Sequence, residues 1–180
     1  QDFASLPWLP AAPSDFVAQC RALGSVETGV GAKLQHLGGF RLSSAQSTSL
    51  GRAIKRAREA GKDLAPLSNF RLGVIAGGTV DMLVDALPAA AVRHGVALEI
   101  DLAPYDQVMQ QALDPQSATN RAKPDAVLVA VDHRWLKLDR PNLSGGASDV
   151  VGSALETMRS VITALRDFGG APAIIQTLPV

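Results

Sequence analysis

Six residues stand at positions where this sequence could do chemistry: Gly77, Gly78, Thr79, Asp106, Asp132 and His133. Backbone N–H groups in a Gly77-Gly78-Thr79 turn could approach an anion, with the positive end of a helix starting near Asp81 behind them. The same turn reads more economically as a tight strand-to-helix connection, with Thr79 as N-cap and the Asp81 carboxylate favourably placed on the helix dipole. It lacks the lysine and spacing of the Walker phosphate loop and does not match the dinucleotide fingerprint. Asp132-His133 sets a carboxylate beside an imidazole that can act as acid or base near neutral pH. Adjacent side chains point different ways, so the pair is not by itself a dyad, and a loop histidine satisfied by its surroundings is an equal reading. Asp106 offers a further polar group from a separate loop. Cys20 lies on the apolar side of a helix and reads as core; His36 and His94 fall near helix ends, where a C-terminal dipole favours them. There is no Gly-x-Ser-x-Gly elbow, no Asp-x-Asp-x-Thr phosphatase motif and no Cys/His cluster with metal spacing.

The elements that must position these groups follow from periodicity. Continuous apolar runs at 72–76, 96–100, 126–131 and 173–178 read as strands, the first stopped by Gly77-Gly78. Between them, 81–94 reads as a helix with a kink or a tightened turn at Pro88, and a stripe from Val150 to Leu165 reads as a long helix over about 148–168. A loop-and-helix passage runs from Tyr105 to Leu113, and a Gly/Ser-rich loop spans Leu143 to Ser148. Such alternation implies an α/β fold with a parallel sheet between helices, whose loops at the carboxyl ends of the strands collect functional groups. Asp101, Tyr105 and Asp106 would follow the second strand, and Asp132 to Trp135 the third. Residues 1–70 differ in character. They read as an extended, proline-rich arm from Phe3 to Pro13 with Trp8 buried against a body, then helices at 16–23, 27–37 and around 50–58. The basic side of the third helix, Arg52, Lys55, Arg56 and Arg58, reads as a solvated face.

Composition bounds the rest. The chain has 180 residues, 47% of them hydrophobic, enough for one domain-sized core without disulfides. Its 17 basic and 17 acidic residues cancel, so no basic field points to nucleic acid or to a membrane surface. A single cysteine excludes an internal disulfide framework, and the reducing cytoplasm is the default location. No apolar run approaches the roughly 20 residues that span a bilayer. The chain begins at Gln1 without a basic segment ahead of an apolar one, which reads as a piece of something longer.

The stretch Arg71–Leu83 resembles the first strand, turn and helix of the amino-terminal domain of FkbH-like proteins, a domain related to the SGNH hydrolases. The similarity continues through Arg93–Val96, Tyr105–Gln107, Leu113–Ser117, Lys123–Asp132 and Ala171–Pro179, and takes in the Leu6–Pro10 opening. The resemblance implies a three-layer, SGNH- or flavodoxin-like domain over 71–180, incomplete at its carboxyl end, preceded by the arm and helical segment of 1–70. It implies a following domain of the haloacid dehalogenase (HAD) superfamily, which would carry the Mg²⁺, while this part needs no cofactor. Its implied partners are that domain, a small-molecule substrate and an acyl carrier protein, in loading of glycerate-derived units for polyketide or polysaccharide biosynthesis. SGNH hydrolases carry a serine where Thr79 stands and an asparagine near Asp132-His133, and their late histidine block is missing. The resemblance therefore implies a non-hydrolytic binding module; an esterase or acyltransferase using Thr79, or a structural or dimerising module, are the alternatives.

Overall fold

The computed structural model describes residues 7–139 and 147–176. Phe3 to Leu6 of the expected arm, Leu143 to Gly146 of the expected loop, and Thr177 and Leu178 of the expected fourth strand lie outside the described residues, as does Pro179. The element order is α1 (Phe16–Ala22), α2 (Val30–Gly38), α3 (Ser44–Glu59), β1 (Ser68–Ala76), α4 (Asp81–Arg93), β2 (Val96–Leu102), α5 (Val108–Leu113), α6 (Ala118–Ala122), β3 (Ala126–Ala130), α7 (Ala147–Ala164) and β4 (Ala173–Ile175). Four strands make one sheet in the order β2-β1-β3-β4, all parallel and flanked by helices, as the continuous apolar runs require. In register, Leu72 to Ala76 face Ala126 to Ala130, and Val127 to Val129 face Ala173 to Ile175.

The chain divides into two compact units, one of residues up to 70 together with 81–99, the other of 71–80 with 100–180. The first has its own core: Phe16, Val30, Leu34, Leu50 and Ile54 are fully buried, with Cys20 among them, and each large aliphatic burial contributes about 1.5–3 kcal/mol. Helix α3 begins six residues before its apolar stripe, because Ser43 and Gln46 form a capping box: the Ser43 hydroxyl accepts from the Gln46 N–H, and the Gln46 side-chain Oε1 accepts from the Ser43 N–H. Helix α4 packs on α2 and α3 and runs through Pro88 as one element. Pro88 removes one N–H from its ladder without dividing it. Arg93 donates to the carbonyls of Gly38 and Phe40, closing the end of α2. Arg58 is not part of a solvated face: its guanidinium donates to the carbonyls of Ala97 and Leu98. Lys62 caps the 3₁₀ turn after α1, its ammonium reaching the carbonyls of Leu23, Gly24 and Val26. Trp8, expected to be buried, is 74% exposed. The arm is pinned downstream of it, where Pro10 accepts from Arg41 N–H and Ala11 bridges Arg41, and that leaves the indole outside the contact.

The second unit is built on the sheet. Ile75, Val127, Val129 and Val131 pack with Val108, Ala112, Val161 and Leu165 of the helices that follow. Helix α7 ends in a single π turn, Leu165–Gly169, before β4. No described helix is long and apolar enough to cross a membrane.

Candidate functional site

In the order β2-β1-β3-β4, β1 and β3 are neighbours whose next strands lie toward opposite edges of the sheet. Their carboxyl ends therefore border the crevice where open α/β sheets place ligands. The turns after these two strands do meet in the second unit. A Cβ built on Gly77 would stand 2.5 Å from Cδ1 and 2.8 Å from Cγ of Trp135. Gly77 is thus a glycine because the indole packs on its backbone, and its φ lies outside the left-handed region. Gly78 faces open space, and Thr79 is exposed with no hydrogen-bond partner for its hydroxyl among the described residues.

Asp132 organises the other side. Its Oδ1 accepts the backbone N–H of Trp135 at 2.9 Å and of Arg134 at 3.0 Å, while its carbonyl accepts from Leu136 N–H. One carboxylate oxygen therefore caps the turn that presents Trp135 to Gly77. The Trp135 N–H, followed by the Arg134 N–H and the nearby His133 and Arg134 side chains, holds the Asp132 carboxyl below the usual carboxylate range against a smaller opposing effect of desolvation. His133 is half-buried, and its Nδ1 is enclosed without a hydrogen-bond partner among the described residues.

The six sequence candidates are thus unevenly placed. Gly77 joins the turn of Asp132 and His133 through Trp135. Asp106 is exposed, with φ 54°, and makes no hydrogen bond or ion pair with the other candidates among the described residues. Asp101, expected beyond the second strand, lies inside β2, and its carboxylate pairs with the Arg71 guanidinium. Two further residues complete the edge: Trp135, expected in the loop after the third strand but given no role there, and Gln176, expected inside the fourth strand. Trp135 carries the contact between the turns, and Gln176, just past β4, donates from Nε2 to the Val131 carbonyl at 3.1 Å. An aromatic two residues after Asp132-His133, opposite a glycine-only turn, was the available signal for the first; nothing local marked the second. Among the described residues, no three His, Cys, Asp or Glu side chains come together to hold a metal ion.

A pH dependence follows from Asp132. Its folded-state value lies below the unfolded one, so its contribution to stability is present above the ordinary carboxylate range and is lost as pH falls through the depressed value. Asp132→Ala should therefore be less stable than the parent at neutral pH, with the gap closing on acidification. Urea midpoints measured along a pH series check this; a gap that stays constant into strong acid contradicts it.

No protein-family model matches the chain, and no curated protein matches it. A solved structure does: the N-terminal part of the protein BF1531 from Bacteroides fragilis, containing a phosphatase domain complexed with Mg, superposes with a TM-score of 0.54 at 20% identity, over 72% of this chain and 33% of that one. This chain therefore spans about a third of that neighbour's length, and the likeness shows a shared fold.

Proposed function

We propose that this chain is the non-hydrolytic, SGNH-like amino-terminal module of an FkbH-like protein, binding a small substrate or an acyl carrier protein for glyceryl or phosphoryl transfer catalysed by following HAD-type domains. The observation that carries the reading is His133. Its enclosed Nδ1, without a partner among the described residues, stands beside a carboxylate that holds the turn, at the edge where β1 and β3 meet. An enclosed polar atom without a partner costs free energy, and a ligand hydroxyl or phosphate that bonds to it removes that cost. Among the described residues no base is hydrogen-bonded to the Thr79 hydroxyl, and acyl transfer needs a nucleophile and base in contact; binding is the simpler reading. The Bacteroides fragilis neighbour supports it by carrying a like fold in a chain that contains a phosphatase domain. In this reading Mg²⁺ is held by the following domain, and the residues here take no part in its coordination.

Calorimetric titration with a glyceryl-loaded acyl carrier protein, and separately with phosphoglycerate, tests the proposal. Saturable binding to either is expected, weakened about tenfold by His133→Ala, the equivalent of one hydrogen bond to a ligand. Intact mass after incubation with an activated acyl ester should show no adduct. An adduct on Thr79 would favour the esterase reading, and no binding to either probe would favour a structural module.

A further inference from the structure

The first unit contains a cleft of about 450 Å³ between the α1–3₁₀ segment and α2, remote in sequence from every residue of the candidate site. Its origin is local. Ala22 and Ala32 are small and exposed where the segments face each other, and the buried side chains of Leu23 and Leu37 form an apolar lining between them. The volume falls within the range of small-molecule sites, about 300–1,000 Å³.

The charge on its rim is one-sided. Lys33 and His36 both line the cleft, three residues apart on α2 and hence on one face of the helix. Among the described residues neither has an ion-pair partner and no carboxylate lines the cleft. Gln19, which also borders the cleft, donates from Nε2 to Asp15 Oδ1. The His36 ring is oriented by an edge-on contact with Phe40, with centroids 5.2 Å apart and an interplanar angle of 84°. An apolar lining with the Lys33 ammonium and the His36 imidazole at its rim, and no carboxylate among the described lining residues, is complementary to a molecule with an apolar body and one anionic head.

We propose that this cleft is a binding site for a small amphipathic carboxylate. The unbranched chain would lie over Leu23 and Leu37, and the carboxylate would meet Lys33 and His36. The site is independent of the sheet-edge reading and stands or falls separately from it.

Octanoate, octanol and octylamine titrated into the ¹⁵N-labelled chain test the proposal by amide chemical shifts. Octanoate should give saturable shifts confined to residues 19–37 and bind about tenfold more tightly than octylamine, since reversing the head charge exchanges attraction for repulsion. Lys33→Glu should reverse that preference, and Ala32→Trp, at an exposed position that tolerates bulk, should fill the cleft and remove binding of both. Unchanged thermal midpoints would show that the variants remain folded. Absence of saturable shifts up to about 10 mM, a concentration that reveals even millimolar affinity, would overturn the proposal. Shifts centred elsewhere would also do so, as would equal binding of octanoate by the parent and Lys33→Glu. A peptide helix that binds the cleft while octanoate does not would replace the small molecule with a protein partner.

Discussion

Gly31→Ala should be the most damaging single-methyl addition in the amino-terminal helices. Gly31 lies in the first turn of α2, and a Cβ there would stand 1.9 Å from the Leu64 carbonyl oxygen, 2.4 Å from its carbon and 2.5 Å from the Ala65 oxygen. Those atoms are backbone and cannot rotate away, so α2 must move off the Leu64–Ala65 segment, and the buried Val30 and Leu34 move with it. Overpacking of this kind costs about 3 kcal/mol or more, which for a chain of this size lowers the thermal midpoint by roughly 6–12 °C. Gly152→Ala provides the contrast. Gly152 lies inside α7, and a Cβ there meets nothing within 4 Å. Alanine should stabilise that helix by about 0.5–1 kcal/mol. Paired thermal melts followed by circular dichroism read both. A midpoint for Gly31→Ala within about 2 °C of the parent, less than 1 kcal/mol for this size, would mean that the α2 contact is looser than the structure has it.

Asn120→Asp should be comparably severe in the second unit, and its damage should depend on pH. The Asn120 Nδ2 donates to the carbonyls of Gln111, Ala112 and Asp114, at 3.2, 3.1 and 2.8 Å. It thereby satisfies the end of α5, a helix too short to satisfy its own carbonyls. Ser117 and Thr119 complete the buried network by bonding the Gln111 carbonyl and side chain. Aspartate keeps the shape but replaces the donor with charge facing three carbonyl oxygens, at a cost of about 3 kcal/mol or more near neutral pH. Burial and those oxygens raise the new carboxyl's folded value above its unfolded one, so the folded state takes up the proton first. The stability gap to the parent should narrow as pH falls into the acid range, where a protonated carboxyl regains one donor. Asn120→Leu, which cannot titrate, should show a deficit without that recovery. Identical pH profiles for the two variants would refute the network's electrostatic role.

Much of the scaffold was legible because its signals are local. Leu72 to Ala76 and Ala126 to Ala130 are unbroken apolar runs, which only strands buried on both faces tolerate, and the two pair in parallel register as that pattern requires. The α3 stripe was equally legible, but its start was not. Ser43 and Gln46 sit outside the apolar pattern, and their reciprocal bonds, rather than burial, set the boundary. Trp8 shows the opposite failure: a large apolar residue among prolines suggests a buried anchor, yet the pinned point lies downstream, at Pro10 and Ala11.

The candidate site divides along the same line. By itself the sequence determined that Gly77, Thr79, Asp132 and His133 follow two apolar strands, because strand and turn chemistry act between near neighbours in the chain. Only the tertiary structure decided what each does there. Gly77 is shaped by an indole 58 positions later, Asp132 uses one oxygen on its own turn, Arg58 serves β2 rather than solvent, and His133 is left with an enclosed nitrogen and no partner among the described residues. Such roles depend on which backbone and side-chain atoms the sheet order brings within contact distance, and residue types along the chain carry no record of those distances.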